Sequence, residues 1–107
     1  MALLTIVVPV YNEEGTIAAL LDAVLAAPLP DGIEREVIVV DDASKDATAS
    51  RLGAFAGEQR IRVFRQDVNR GQGAALRRGV QDARGEFVVI EDAALEYDPR
   101  EYAKLLV

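Results

Sequence analysis

Carboxylates gather at three places in this chain, each directly after a run of apolar, mostly β-branched residues. Leu3 to Val10 leads into Tyr11-Asn12-Glu13-Glu14; Val37-Ile38-Val39-Val40 leads into Asp41-Asp42; and Phe87-Val88-Val89-Ile90 leads into Glu91-Asp92, with Glu96 shortly after. A carboxylate can accept hydrogen bonds from a ribose hydroxyl or a base N–H. Two oxygen donors on one loop, such as Asp92 and Glu96, can share a hard cation such as Mg²⁺ or Mn²⁺. An ion of that kind holding a diphosphate would stabilise the charge that develops as the diphosphate departs. Taken singly, each cluster reads equally well as a solvated turn or a helix cap. Only their convergence would give them a joint chemistry.

A fourth stretch, Asn69-Arg70-Gly71-Gln72-Gly73, opens a helical pattern. Backbone N–H groups and the positive helix end could there face an anion, with Arg70, Arg77 or Arg78 nearby. The glycine pair is neither a dinucleotide fingerprint nor a P-loop, so a capped turn with solvated arginines competes with that reading. The chain has no Cys and no His, which excludes thiol nucleophiles, thiolate or imidazole metal sites and a histidine-based triad. Its 18 acidic residues outweigh 12 basic ones, giving a net charge of -6. That balance argues against a general nucleic-acid or anionic-membrane surface.

The elements that must position these groups follow from punctuation and period. With 107 residues, half of them hydrophobic, the chain has room for one domain with a real core. Leu3 to Val10 reads as the central strand, with Pro9 placed where pairing ends, because proline cannot donate to a ladder. Ile17, Leu20, Leu21, Val24 and Leu25 recur at helical spacing up to the turn cluster Pro28 to Gly32. Glu36 to Asp42 repeats the plan, and Ser44 or Asp46 is placed to cap a helix reaching about Phe55. Ile61 to Arg65, with interleaved charges, suits an edge strand. A helix follows to about Arg84. Phe87 to Ile90 then reads as a strand covered on both faces. Asp98 would cap a last helix that has Pro99 at its first position.

Strand and helix alternate four times, which with right-handed crossovers gives a doubly wound, Rossmann-like parallel α/β sheet in the order 3-2-1-4. Ligands bind such sheets at the switch point, outside the carboxyl ends of the strands. Tyr11 to Glu13, Asp41-Asp42 and Asp92 to Glu96 would converge there.

Four stretches together, Val8 to Glu13, Val40 to Asp46, Asn69 to Gly79 and Asp92 to Pro99, resemble the family 2 glycosyltransferases of the GT-A fold in both order and spacing. The likeness is greatest to the polyprenyl-phosphate (dolichol-phosphate type) mannosyl- and glucosyltransferases. It implies that residues 1–107 are the nucleotide-sugar-binding half of a GT-A domain, with the acceptor-binding half following Val107. It also implies that Pro9, Tyr11 and Glu13 line the nucleotide pocket, that Asp41 contacts the base and that Asp42 supports that loop. Asp92 stands at the first carboxylate of the family's Asp-x-Asp motif, where it would hold Mg²⁺ or Mn²⁺ and the donor diphosphate as the catalytic carboxylate. Glu96 falls where this branch commonly places another metal contact.

The implied reaction transfers a hexose from a nucleotide-diphosphate sugar to an acceptor such as a polyprenyl phosphate. Two positions depart from the pattern: Ala94 replaces the second carboxylate of Asp-x-Asp, and Gln72 stands where lysine is frequent. Losing one anionic ligand weakens a hard-cation site. A catalytically inactive nucleotide-binding or assembly module is therefore the rival reading. No apolar run reaches the roughly 20 residues needed to cross a bilayer, and no signal peptide is visible. The expected location is cytoplasmic, at the cytoplasmic membrane face in a longer protein. A fragment ending here would leave the outer edge of the fourth strand open to self-pairing, and hence to a homodimer.

Overall fold

A computed structural model describes residues 2–92 and 99–102. Its core is a parallel sheet of β1 (Ala2–Val10), β2 (Ile33–Asp41), β3 (Ile61–Arg65) and β4 (Phe87–Ile90), in the order β3-β2-β1-β4. The connecting helices are α1 (Ile17–Ala26), α2 (Thr48–Leu52) and α3 (Gln72–Gln81). Short 3₁₀ turns follow at Gly53–Phe55 and Pro99–Glu101. The expected doubly wound order 3-2-1-4 is therefore the observed one.

Strand alternation sorts the central residues into two layers. Leu4, Ile6, Val8 and Val10 of β1, with Val37 and Val39 of β2, pack against Ile17, Leu21 and Val24 of α1. Ile38 and Val40 face the other way, onto Ala75 of α3. The register runs from Ala2 beside Ile33 to Val10 beside Asp41, so β1 and β2 end level. Pro9 causes no loss of pairing. The carbonyls of Leu3 and Val7 accept from Glu86 and Glu91 on the β4 side, and Pro9 shares their parity beyond the last β4 pair, Val7 with Ile90.

Polar side chains tie the elements together at the opposite edge. Arg35 donates to the carbonyls of Val24 and Ala27, both at 2.6 Å, closing the carboxyl end of α1. Burial pulls its guanidinium below the usual value. Glu36 accepts from the Thr5 hydroxyl at 2.6 Å, the Arg84 N–H at 2.6 Å and Arg62 at 3.0 Å. Burial would raise its carboxyl, but hydrogen bonds from Thr5, Arg84 and Arg62 outweigh it and hold the group below the ordinary glutamate value. Arg62 and Arg78 both lie over the Phe64 ring.

Several boundaries and one burial pattern differ from the sequence expectations. β2 starts at Ile33 rather than Glu36, because its first residues pair with β1 while only half buried. The second helix ends at Leu52 and tightens into a 3₁₀ turn. β4 is not covered on both faces. Phe87, Val88 and Ile90 are 44%, 43% and 41% exposed, and only Val89 packs against the core. β4 is the sheet's edge among the described residues, and α3 crosses over β1 and β2 rather than over it. The expected cap Asp98 lies outside the described residues; the turn at Pro99 is present.

Gly85 passes so close to β1 that an added Cβ would sit 2.5 Å from Thr5 Oγ1 and 2.7 Å from both the Leu3 carbonyl and the Thr5 nitrogen. Gly53 has open space and helical φ of -58°. Gly85→Ala is expected to cost about 2–3 kcal/mol through overpacking. Gly53→Ala should be neutral or stabilising by up to about 1 kcal/mol. Urea unfolding of both variants checks the pair, and equal midpoints would contradict the close approach.

Candidate functional site

Two polar loops leave the sheet side by side, and each satisfies the other's backbone. Asp42 N donates to the Val10 carbonyl at 2.9 Å, extending the ladder one step past β2. Beyond it, Asn12 N donates to Ser44 Oγ and Glu13 N to Thr48 Oγ1, both at 2.9 Å. In return Lys45 N donates to Asn12 Oδ1 at 2.8 Å, and Ala47 N to Glu14 Oε2 at 3.2 Å. Asn12 and Ala43 turn with φ of 52° and 62°, in the left-handed region that non-glycine residues seldom adopt. Asp46, not Ser44, serves the start of α2, its Oδ1 accepting from both the N–H and the hydroxyl of Thr48. Hydrogen bonds to Thr48 hold the Asp46 carboxyl below its ordinary value.

Adjacent acids Asp41 and Asp42 have different surroundings. Asp41, expected as the base contact, is 1% exposed. Its Oδ2 accepts from Arg65 at 2.7 Å and its Oδ1 from Ser44 N at 3.0 Å. It lies beneath the pocket rather than on its wall. Asp42 borders the pocket and reaches across to the turn before α3, accepting from Arg70 N at 2.8 Å and Gly71 N at 2.9 Å. Those two N–H groups are the ones an anion at this turn would have needed first. The protein's own carboxylate occupies them, which agrees with the capped-turn reading at these two positions. Gly71 has φ of 90°, which fits a glycine and turns the chain into α3.

A cleft of about 300 Å³ opens where these elements meet. Pro9, Tyr11 and Glu13 line it together with Asp42, Asn69, Gln72 and Asp92. The Gln72 side-chain amide donates to Asp92 Oδ2. Five of the residues singled out from sequence, Pro9, Tyr11, Glu13, Asp42 and Asp92, are therefore brought together; Asp41 is not on the wall. Glu96 and Ala94 lie outside the described residues. Asn69, Gln72 and Ala75 also line the cleft and were not among the residues expected there; the glycine-bearing turn at Asn69 to Gly73 is the signal that could have pointed to the first two.

For a divalent ion the described donor set is small. No group of three or more His, Cys, Asp or Glu gathers among the described residues. The ligands that could bind are oxygens only, with Asp92 on the pocket's wall. One carboxylate fits a hard ion whose remaining ligands are water and phosphate, a mode Mg²⁺ uses often, and does not fit an all-protein cage.

The sheet order defines a doubly wound α/β domain with a cleft at its switch point, where such sheets bind ligands. The chain belongs to glycosyl transferase family 2, whose model matches residues 5–106. It is 39% identical over 106 residues to an undecaprenyl-phosphate 4-deoxy-4-formamido-L-arabinose transferase of Pseudomonas aeruginosa, covering 97% of this chain and 31% of the relative. A dodecaprenyl-phosphate galacturonate synthase of Rhizobium johnstonii is 33% identical, with 96% and 31% covered. The chain thus spans about 31% of the length of these relatives. Among solved structures, S. aureus TarS 1-349 in complex with UDP-GlcNAc superposes with a TM-score of 0.81 at 31% identity, covering 96% of this chain and 29% of that one. The mannosyltransferase PcManGT from Pyrobaculum calidifontis, in complex with GDP-Man and Mn²⁺, gives 0.78 at 34% identity, with 92% and 29% covered. The fold is of the GT-A type.

Asp42→Ala leaves the Arg70 N–H without its acceptor and the Gly71 N–H with only Asn69 Oδ1, at 3.2 Å. It is expected to lower stability by about 2 kcal/mol, the scale of hydrogen bonds to a charged group, and to speed amide exchange at Arg70 and Gly71. Unchanged exchange at both positions would contradict the bridge.

Proposed function

We propose that this chain is the donor-binding part of an inverting glycosyltransferase that takes a hexose from a nucleotide-diphosphate sugar. The acceptor in this reading is a lipid-linked phosphate, in line with the polyprenyl-phosphate relatives. The observation that carries it is the cleft at the switch point, with Asp42 and Asp92 on its walls, in a chain of this family. Pro9, Tyr11 and Glu13 would hold the nucleoside, with Asp41 acting on the base side through Arg65 and Ser44 beneath it. A lipid-linked acceptor would place the reaction at a membrane surface, and this reading takes it to be the cytoplasmic face. No helix of the described residues is long and apolar enough to cross a bilayer.

Charge supports a metal requirement. Glu13, Asp42 and Asp92 line the cleft, and no Lys or Arg does among the described residues. A diphosphate entering alone would meet carboxylates. Asp92, with Glu96 as the second oxygen ligand, would hold Mg²⁺ or Mn²⁺, which when bound neutralises charge on the departing diphosphate. The chain's own residues supply orientation: the Asp42 bridge fixes the turn before α3, and Gln72 holds the Asp92 carboxylate. An acceptor phosphate is already ionised and needs no strong general base.

Ala94 favours a second reading, a binding or assembly module without turnover. Titration calorimetry with GDP and UDP, with and without Mn²⁺, tests both. The first reading expects binding strengthened by Mn²⁺ and strengthened further in Ala94→Asp. Equal binding with and without the ion would leave the module reading, and no binding by either protein would contradict the pocket.

Self-association through the open β4 edge, by pairing with the same strand of a second copy, belongs to this proposal as well. Sedimentation at high concentration should show a dimer or larger species. A clean monomer would count against it.

A further inference from the structure

Glu91 and Tyr102 form a buried pair beside the cleft, and neither lines it. Both are fully buried, and the Tyr102 hydroxyl donates to Glu91 Oε1 at 2.7 Å. A carboxyl withdrawn from water is costly unless it is hydrogen-bonded, and the Tyr102 hydroxyl contributes to meeting that need. The Glu91 backbone is held too, its N–H donating to the Val7 carbonyl at 2.8 Å.

Alternation makes this pair relevant to the cleft. Val89 packs into the core layer that contains Tyr102. Glu91, two residues on, points into that same layer. Asp92 is the next residue and points the other way, into the cleft, where Gln72 meets it. Adjacent positions share a backbone, so anchoring the Glu91 side chain restrains the backbone from which Asp92 projects.

We propose that Tyr102 is a positioning residue: through its hydrogen bond to Glu91 it fixes the Asp92 carboxylate in the cleft. The functional side of this inference rests on the reading of Asp92 as a diphosphate and ion ligand. Its structural side does not.

The test uses the isotopically labelled 107-residue chain and reads the side-chain amide signals of Gln72, which report directly on Asp92 without any ligand. Tyr102→Phe removes one hydroxyl from the opposite side of the sheet. Positioning predicts shifted Gln72 side-chain signals and faster exchange of those protons. Glu91→Leu, which fills the core without an acceptor, should give the same change. Glu91→Gln, which keeps an oxygen for Tyr102, should restore the wild-type pattern. Thermal melts establish that each variant is folded. A merely structural pair would lower the melting temperature in Tyr102→Phe and Glu91→Leu yet leave the Gln72 signals in place, and that result overturns the proposal.

A second arm titrates UDP and GDP with and without Mn²⁺. Tyr102→Phe should reduce the gain in nucleotide affinity on adding Mn²⁺ by about tenfold or more, the scale seen when groups that orient metal ligands are removed. Metal-free affinity should be unchanged, and equal loss in both conditions would contradict positioning. If the unaltered chain binds neither nucleotide, the pocket reading fails, while the Gln72 comparison still decides the role of Tyr102.

Discussion

Parallel strands all end on the same side of a sheet, and each departing loop carries backbone donors that have lost their ladder partners. In this chain that constraint falls hardest beyond β1 and β2, which end level at Val10 and Asp41. The solution is mutual: Ser44 and Thr48 accept from the loop after β1, while Asn12 and Glu14 accept from the loop after β2. Asp42 extends the same device to the turn before α3. Three loops far apart in sequence thereby become one rim. The cleft exists because the rim is held from within, which leaves Pro9, Tyr11, Glu13 and the pocket side of Asp42 to face a ligand.

The strand order was legible because the apolar runs are long and the turn clusters between them are distinct. Pro9 was informative for a physical reason: a residue without an N–H fits only where the neighbouring strand has stopped, which is the case on the β4 side. The cover of β4 was not legible. Phe87 to Ile90 has the composition of a strand buried on both faces, but composition does not say which element supplies the cover, and α3 lies over β1 and β2 instead.

Within the site, the carboxylates and the glycine turn could be found from sequence, but their division of labour could not. Asp41 and Asp42 are adjacent and chemically identical. One is folded onto Arg65 and the other bridges to Gly71, a difference fixed by strand alternation and by partners more than twenty residues away. Asn12 and Ser44 read as loop filler or a cap, and Thr48 drew no reading, for the same reason: their partners are more than thirty residues distant. Tyr102 gave no signal at all, since an aromatic residue in a helical pattern reads as core, which it also is.

The central claim is that the cleft at the switch point receives a nucleoside diphosphate. Mapping backbone and side-chain chemical shifts during titration with UDP or GDP and Mn²⁺ tests it most directly. The account predicts that the largest changes fall on residues 9–13, on Asp42, on residues 69–73 and on Asp92. Changes centred elsewhere, on β3 or the outer face of α1, or none at saturating nucleotide, would contradict it.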